Sequence, residues 1–277
     1  MNRIKLRNQL GEFFNEDIGD GDLTSITLPQ NQIKTAEIIA KEKGVFVGKE
    51  VITEGYSLLN PELRTEIDFE DGEIFEKGQK IASIIGPVDQ ILLGERVILN
   101  VIQRLSGIAT MTYRVIENLQ DSSIRICDTR KTTPGLRMLE KYAVKCGGGY
   151  NHRTSLNHSI LLKENHIEAY GGIKEAISAV KSKTGHMIKI EVEITNQKQL
   201  IEAIEEKPDV IMFDNYSPKE IQEQIQLVPS EIVTEASGGI NYKNIVEFRG
   251  CGVDYISLGF LTHSITSIDF SMLVKGE

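Results

Sequence analysis

Three cysteines, Cys127, Cys146 and Cys251, are odd in number, widely spaced and form no C-x-x-C pair. Such a set argues against a disulfide framework and against a structural zinc site, and it reads as buried small hydrophobes. Long apolar runs are missing too. The first ten residues, MNRIKLRNQL, hold no run of signal-peptide length, and no uncharged stretch approaches a membrane span. A cytoplasmic address without a membrane partner is the expectation. Glycine and proline are not gathered into a linker or low-complexity tract, which argues against disorder. Positive charge is in deficit, with a net charge of -9, and that disfavours a nucleic-acid partner because phosphate-backbone affinity rests on clustered Lys and Arg. Neither G-x-x-x-x-G-K-[ST] nor G-x-G-x-x-G occurs in usable context, so nucleoside triphosphates and dinucleotides are poor ligands.

What is present is a chain of 277 residues, 40% hydrophobic and 26% charged, a length that suits one large domain with a smaller companion. Its charge is unevenly spread. Between Ile124 and Lys163 eight Lys or Arg residues (Arg125, Arg130, Lys131, Arg137, Lys141, Lys145, Arg153 and Lys163) face only Asp128 and Glu140. A cationic pocket in an acidic protein suits a small polyanion. Arg137, Lys141 and Lys145, at i, i+4 and i+8, read instead as a solvated helix face.

The first hundred residues mix an N-terminal helix, an alternating run from Ala36 to Val47 and a helix near Glu50 to Leu59, the pattern of a small α+β domain. Leu93, Val97, Val101 and Leu105 recur every fourth residue and predict an amphipathic helix; Gly107 is expected to interrupt it, with a second helical stretch running to about Leu119. Thereafter short β-prone runs alternate with helix-like stretches: IRIC, ILLK, IKIEVEI, VIMFD, IVTEA and YISLG. Alternation of this kind implies parallel strands covered by helices. A polar residue stands near each strand's end (Asp128, Lys163, Glu193, Asp214, Ser237, Gly259), and this favours a barrel, whose active site lies at the C-terminal rim, over an open sheet with one switch point. Around Glu193, period 2 sends Ile188, Ile190, Val192 and Ile194 toward the helices and Lys189, Glu191 and Glu193 into the barrel, where charges persist only when paired. Residues 267 to 274 alternate in part and are expected to return as a strand to the first domain. The expected organisation is an N-terminal α+β domain (1–107), an α/β barrel catalytic domain (108–266) and a returning C-terminal segment (267–277).

The most specific run is D-T-R-K-T-T-P-G-L-R, Asp128 to Arg137, followed by L-E-K-Y-A-V-K-C-G-G-G-Y-N-H-R, Leu139 to Arg153. It delivers Arg130 and Lys131 into a loop closed by Pro134 and Gly135. Three glycines, 147 to 149, then allow a close backbone approach before Asn151, His152 and Arg153 are presented. Arg grips carboxylates with two parallel bonds, whereas Lys meets phosphate as a point charge. Ser237-Gly238-Gly239 follows a strand and precedes a helix expected near Asn241, a common phosphate-binding position. Asp17, Asp20 and Asp22 have the wrong offsets for a calcium loop and read as a turn or helix cap. His158, His166 and His186 do not have the spacing of a metal triad, and a structural or surface role is expected of each.

These motifs together resemble the quinolinate phosphoribosyltransferase family, and the resemblance continues through E-D-I-G-D-G-D-L-T (Glu16 to Thr24), G-E-R-V-I-L-N-V-I-Q-R-L-S-G-I-A-T (Gly94 to Thr110), L-L-K-E-N-H (Leu161 to His166), E-V-E (Glu191 to Glu193), F-D-N (Phe213 to Asn215), A-S-G-G-I (Ala236 to Ile240) and L-G-F-L-T-H-S (Leu258 to Ser264). The resemblance implies an N-terminal α+β domain followed by an incomplete α/β barrel of parallel strands. It implies a homodimer with shared active sites, each N-terminal domain covering its partner's barrel mouth, with assembly up to a hexamer compatible. By the same resemblance Arg130, His152, Arg153 and Lys163 bind the two quinolinate carboxylates, and Arg96 reaches in from the other subunit. Lys131 contacts phosphoribosyl pyrophosphate as a catalytic residue. Glu193 and Asp214, also catalytic, hold the Mg2+-bound ribose and pyrophosphate, and Ser237, Gly238, Gly259 and His263 surround the 5′-phosphate.

The chain departs from the family pattern in N-H-R-T-S-L-N-H-S: Ser155 replaces a glycine, His158 a frequent Asp, and Glu164 an Asp. These substitutions lie beside the expected carboxylate site. Two rivals follow, a phosphoribosyltransferase of the same fold acting on another base, as in molybdenum-transport-associated homologues, and a non-catalytic module that senses a phosphorylated metabolite. The unbroken L-E-K-Y-A-V-K-C-G-G-G-Y-N-H-R argues against the first. Retention of Lys131, Glu193 and Asp214 argues against the second. Nor does the chain carry the acidic pair and small-residue loop of the other large phosphoribosyltransferase class.

Overall fold

Why the first hundred residues settle as they do follows from their spacing. A computed structural model describes residues 1–28 and 32–276, and these form two compact units, Met1–Tyr113 with Met138–Gly148 and Ser264–Glu277, and Arg114–Arg137 with Gly149–His263. In the first unit, helix α1 (Arg3–Ile18) buries Leu6, Leu10 and Phe14, one side chain per turn. The Asn2 side chain caps its start by accepting the Lys5 N–H at 3.1 Å. Strand β1 (Ile33–Ala40) buries Ala36, Ile38 and Ala40 on one face. After β2 (Gly44–Val45) come α2 (Lys49–Leu59), β3 (Arg64–Ile67), β4 (Ile74–Phe75) and β5 (Lys80–Pro87). The sheet runs β12-β1-β5-β3, antiparallel throughout, β12 being Phe270–Val274 from the far end of the chain.

One helix, α3, runs unbroken from Val88 to Leu119, so Gly107 does not interrupt it. The glycine serves packing instead. A Cβ there would stand 2.4 Å from the Thr266 carbonyl oxygen, so the chain leading to β12 crosses α3 at a residue without a side chain. The Cys146 end of α4 (Arg137–Cys146) uses the same device, since a Cβ on Gly147 would stand 2.4 Å from the Ala109 carbonyl oxygen. The close approach expected of the glycine run is thus made, at Gly147, to the protein's own α3. The solvated face expected on α4 is not observed either. Lys141 is buried, Arg137 is turned onto Thr132 Oγ1 and the Thr154 carbonyl at 3.0 and 3.2 Å, and only Lys145 is exposed. Glu140, fully buried on the same helix, accepts Arg104 Nε at 2.9 Å and Nη2 at 2.5 Å.

The second unit contains all six strands expected from the β-prone runs: β6 (Arg125–Cys127), β7 (Ile160–Leu162), β8 (Ile190–Ile194), β9 (Val210–Asp214), β10 (Val233–Ser237) and β11 (Tyr255–Ser257). They are parallel and lie in the order β6-β11-β10-β9-β8-β7. Strands β7 to β11 succeed one another without reversal, and the first strand then pairs with the last, which is how a barrel closes and not how a doubly wound sheet reverses. The ring stays open between β6 and β7, where Tyr150 makes an isolated parallel bridge to Cys127. In β8, Ile190, Val192 and Ile194 are buried outward as expected; Lys189, however, lies before the strand, exposed and paired with Asp209 at 2.5 Å. It does not enter the barrel.

Candidate active site

The rim at the C-terminal ends of these strands is organised first by Asp128, which follows β6 and is fully buried. Its carboxylate accepts the His152 backbone N–H at 2.9 Å and the Asn151 side-chain amide at 2.6 Å, so the segment after Tyr150 is pinned alongside β6. That segment carries Arg153, whose Nη1 donates to the Ser159 carbonyl at 2.9 Å. Burial, and then the nearby Arg130, push the Arg153 guanidinium below its ordinary range, while Glu191 and Glu193 oppose the shift. Arg130 Nε is buried with no hydrogen-bond partner. A buried N–H left unmade costs about 1–3 kcal/mol, and two neighbouring guanidiniums are a receptor for an anion.

His152 is turned across the barrel. Its Nε2 lies 3.0 Å from Glu191 and 3.7 Å from Glu235, both almost wholly buried, while its Nδ1 accepts the Arg153 backbone N–H at 2.8 Å. Burial, and then the neighbouring Glu191, push the Glu235 carboxyl up to about 7. These three side chains offer metal-ligand atoms within 4.8 Å of one another. The hydrogen bonding speaks against an ion there, because an imidazole accepting at Nδ1 carries its proton on Nε2 and has no lone pair to give.

Lys163, at the end of β7, is ion-paired to Glu193 on β8. The two share a cleft of about 340 Å³ with Glu164, Thr195 and Asp214. Burial raises the Glu193 carboxyl above its usual range; Lys163 works against this, while Asp214 and Glu191 add to it. Glu193 and Asp214 therefore share a field and present oxygen donors only, the set that a hard cation such as Mg2+ takes while keeping its waters.

Two further groupings complete the rim. At Gly259 a Cβ would stand 3.0 Å from Lys131 Cδ and 3.2 Å from His263 Nε2, and Thr262 Oγ1 donates to the Lys131 carbonyl at 2.7 Å. Ser237 ends β10, and its carbonyl accepts the Asn215 N–H at 2.8 Å. Asn215 adopts φ 58 and donates its side-chain amide to Asp214 at 2.9 Å. No α-helix follows near Asn241, contrary to expectation; Asn241 and Asn244 bond reciprocally and a 3-10 turn, Ile245–Phe248, comes after. The Ser237-Gly238-Gly239 turn is therefore not followed by the N-terminus of an α-helix.

Of the expected residues, Arg130, Lys131, His152, Arg153, Lys163, Glu193, Asp214, Ser237, Gly238, Gly259 and His263 all lie on this rim, and Arg96 is exposed on α3 of the first unit. Among the departures, His158 accepts the Thr154 N–H at Nδ1 (3.2 Å), so it closes its own loop, a task an Asp carboxylate also performs. His166 likewise accepts the Lys163 N–H at 3.1 Å. Asp22 caps a short turn through the Thr24 N–H at 2.8 Å. Sequence reasoning gave no role to Asp128, Asn215 or Glu235. The signal for Glu235 was there, since it stands two residues before Ser237 and shares its inward face.

Comparison with known proteins places this geometry. The N-terminal domain of quinolinate phosphoribosyl transferase matches residues 22–106 and its C-terminal domain residues 108–273. A probable nicotinate-nucleotide pyrophosphorylase (carboxylating) of Bacillus subtilis is 53% identical, over 98% of this chain and 94% of its own. A second protein so described, from Methanocaldococcus jannaschii, is 40% identical over 92% of each chain. Among solved structures, NadC from Streptococcus pyogenes superposes with a TM-score of 0.96 at 39% identity, covering 100% of this chain and 97% of that one.

Proposed function

The chain belongs to the quinolinate phosphoribosyltransferase family, and from that premise we propose that it transfers phosphoribosyl from phosphoribosyl pyrophosphate to quinolinate with decarboxylation. The products are nicotinate mononucleotide, pyrophosphate and CO2, a step of NAD biosynthesis. The single observation that carries this reading is the Arg130–Arg153 pair, with Arg130 Nε buried and unpartnered and Arg153 partly desolvated beside it. Both face the demand that a planar dicarboxylate makes.

In this mechanism Arg130, Arg153 and Lys163 hold the base by its carboxylates, with Arg96 contributed by the partner subunit of a homodimer. The pyridine nitrogen then bonds to C1 of the ribose as the bond from C1 to the pyrophosphate oxygen breaks. Once alkylated, the ring nitrogen is positive. The bond from C2 to its carboxylate breaks, CO2 leaves, and the electron pair left on C2 takes up a proton. Positioning and charge stabilisation supply the catalysis, with Lys131, Gly259 and His263 around the donor. Glu193 and Asp214 would hold Mg2+, which when bound neutralises charge on the departing pyrophosphate. We also propose a cytoplasmic location.

The test is mass detection of nicotinate mononucleotide from quinolinate, phosphoribosyl pyrophosphate and Mg2+, with Mg2+ omitted as a control. Losing the 2-carboxylate leaves the half-buried guanidiniums of Arg130 and Arg153 without their full match, so nicotinate should be disfavoured in kcat/KM by on the order of a thousandfold. Equal use of nicotinate would sink the quinolinate assignment.

A further inference from the structure

The arrangement around His152 has a consequence for the base site that family membership does not supply. An imidazole has two nitrogens, and here both are engaged. Nδ1 accepts the Arg153 backbone N–H at 2.8 Å, and the backbone N–H of His152 itself is anchored on buried Asp128 at 2.9 Å. The main chain thus fixes both the position of the ring and the lone pair on Nδ1. Nε2 must then carry the proton, and its nearest acceptor is Glu191 at 3.0 Å, with Glu235 at 3.7 Å. Each of these glutamates has one oxygen, Oε1, buried without a hydrogen-bond partner. They come from β8 and β10, two strands apart in the sheet, and converge on one ring across the barrel interior. Among the described residues, Glu193 and Arg153 are the charged side chains nearest this cluster, with Asp128 on the His152 backbone N–H and Arg130 beside Arg153. A dicarboxylate entering beside Arg130 and Arg153 meets no donor on His152, because its one N–H is already given to Glu191.

We propose that Glu191 and Glu235 are positioning residues of the base site that act through His152, fixing the direction of the Nε2–H that the main chain's grip on Nδ1 leaves on that ring edge. His152 then shapes the site with its ring, and the charge of the substrate's carboxylates is met by the arginines and Lys163. The two glutamates need no contact with substrate to do this. Glu191 accepts the hydrogen bond from Nε2–H, and Glu235 stands 3.7 Å from the same nitrogen. The inference rests on the proposed function only for what occupies the site, since the tautomer is a property of the chain itself.

The experiment is nitrogen NMR on protein labelled at histidine, with the His152 signals assigned by their loss in His152→Asn, alongside steady-state kinetics. At pH 7 His152 should show one protonated and one unprotonated ring nitrogen, the proton on Nε2, with and without quinolinate. Glu191→Ala should keep that tautomer, because the Arg153 N–H still holds Nδ1, but it should shift the Nε2 resonance and raise the KM for quinolinate by about tenfold, while the KM for phosphoribosyl pyrophosphate changes less than about twofold. Glu191→Gln keeps a carbonyl oxygen to accept Nε2–H and should stay within roughly threefold of wild type on both. Protonation of both nitrogens at pH 7, an Nδ1–H tautomer, or an unchanged quinolinate KM in Glu191→Ala would each overturn the proposal. Should Glu191→Ala fail to fold, the wild-type and Glu191→Gln spectra decide it. A wild-type enzyme that does not consume quinolinate would sink the proposed function, while the ligand-free spectrum would still decide the protonation of His152.

Discussion

Asn215 sets its side-chain oxygen 2.3 Å from the point where a Cβ on Gly238 would stand, and its own backbone nitrogen 2.9 Å from it. Gly238 also has φ 85, so the absence of a side chain there is demanded by Asn215 as well as by the backbone. Since Asn215 donates to Asp214, the same contact steadies a carboxylate of the site. Gly238→Ala should cost about 2–4 kcal/mol through overpacking and left-handed strain. It should also lower turnover. Adding Asn215→Gly should recover part of the stability, a coupling measured by a double-mutant cycle in urea; strict additivity would show that the two residues do not conflict.

Arg104 and Glu140 form an ion pair of the first unit whose carboxylate is fully buried. Because Glu140 is fully buried, removing Arg104 takes away the guanidinium that balances a carboxylate shut off from water. Arg104→Ala should destabilise by about 3–5 kcal/mol, whereas a paired replacement by methionines should cost much less. Denaturant unfolding of both variants checks the difference.

Glu235 makes stability pH-dependent in a predictable sense. Its carboxyl is raised to about 7 in the folded protein from 4.5, chiefly by burial. Below the lower value both folded and unfolded chains hold the proton, and the stabilisation is complete. As the pH climbs toward 7 the unfolded chain ionises first, and stability falls by about 2–3 kcal/mol. Glu235→Gln should abolish this fall, so the variant gains on wild type between pH 5 and 8. Parallel unfolding curves at every pH would contradict the assignment.

Arg96 is exposed on α3, and the proposed homodimer gives it to the partner's site. Arg96→Ala and Lys131→Ala proteins should each be inactive, and co-refolding them should restore about a quarter of wild-type activity through one intact site per mixed dimer, with half of the dimers mixed. No recovery in verified mixed dimers would remove the shared-site idea.

How far the fold could be read beforehand depended on how local its causes were. The six strands of the barrel were legible because each is a short β-prone run that ends in a polar residue. Gly107 was not, because its reason is the carbonyl of Thr266, far along the chain, and nothing in its neighbours distinguishes a helix break from a crossing point. Lys141 misled for a related cause: a repeat of four marks a helix face and does not say whether that face meets water. In the site, Arg130, Lys163 and Glu193 announced themselves as charges at strand ends. Asp128 holds the His152 N–H and the Asn151 amide in place, a partnership chosen by three-dimensional proximity, whereas Glu235 was legible from its spacing of two before Ser237.

The pairing of the earliest barrel strand with the latest, and of β1 with β12, has a consequence for how the chain is made. On the ribosome, β6 emerges long before β11, and β1 waits even longer for its neighbour, so each sheet shows an unpaired edge while synthesis continues. Neither sheet can close until its late strand has emerged, in a step set by contacts distant in sequence. The last strands therefore act as a checkpoint on chain length: a polypeptide cut short before Phe270 leaves β1 open to pairing with other chains.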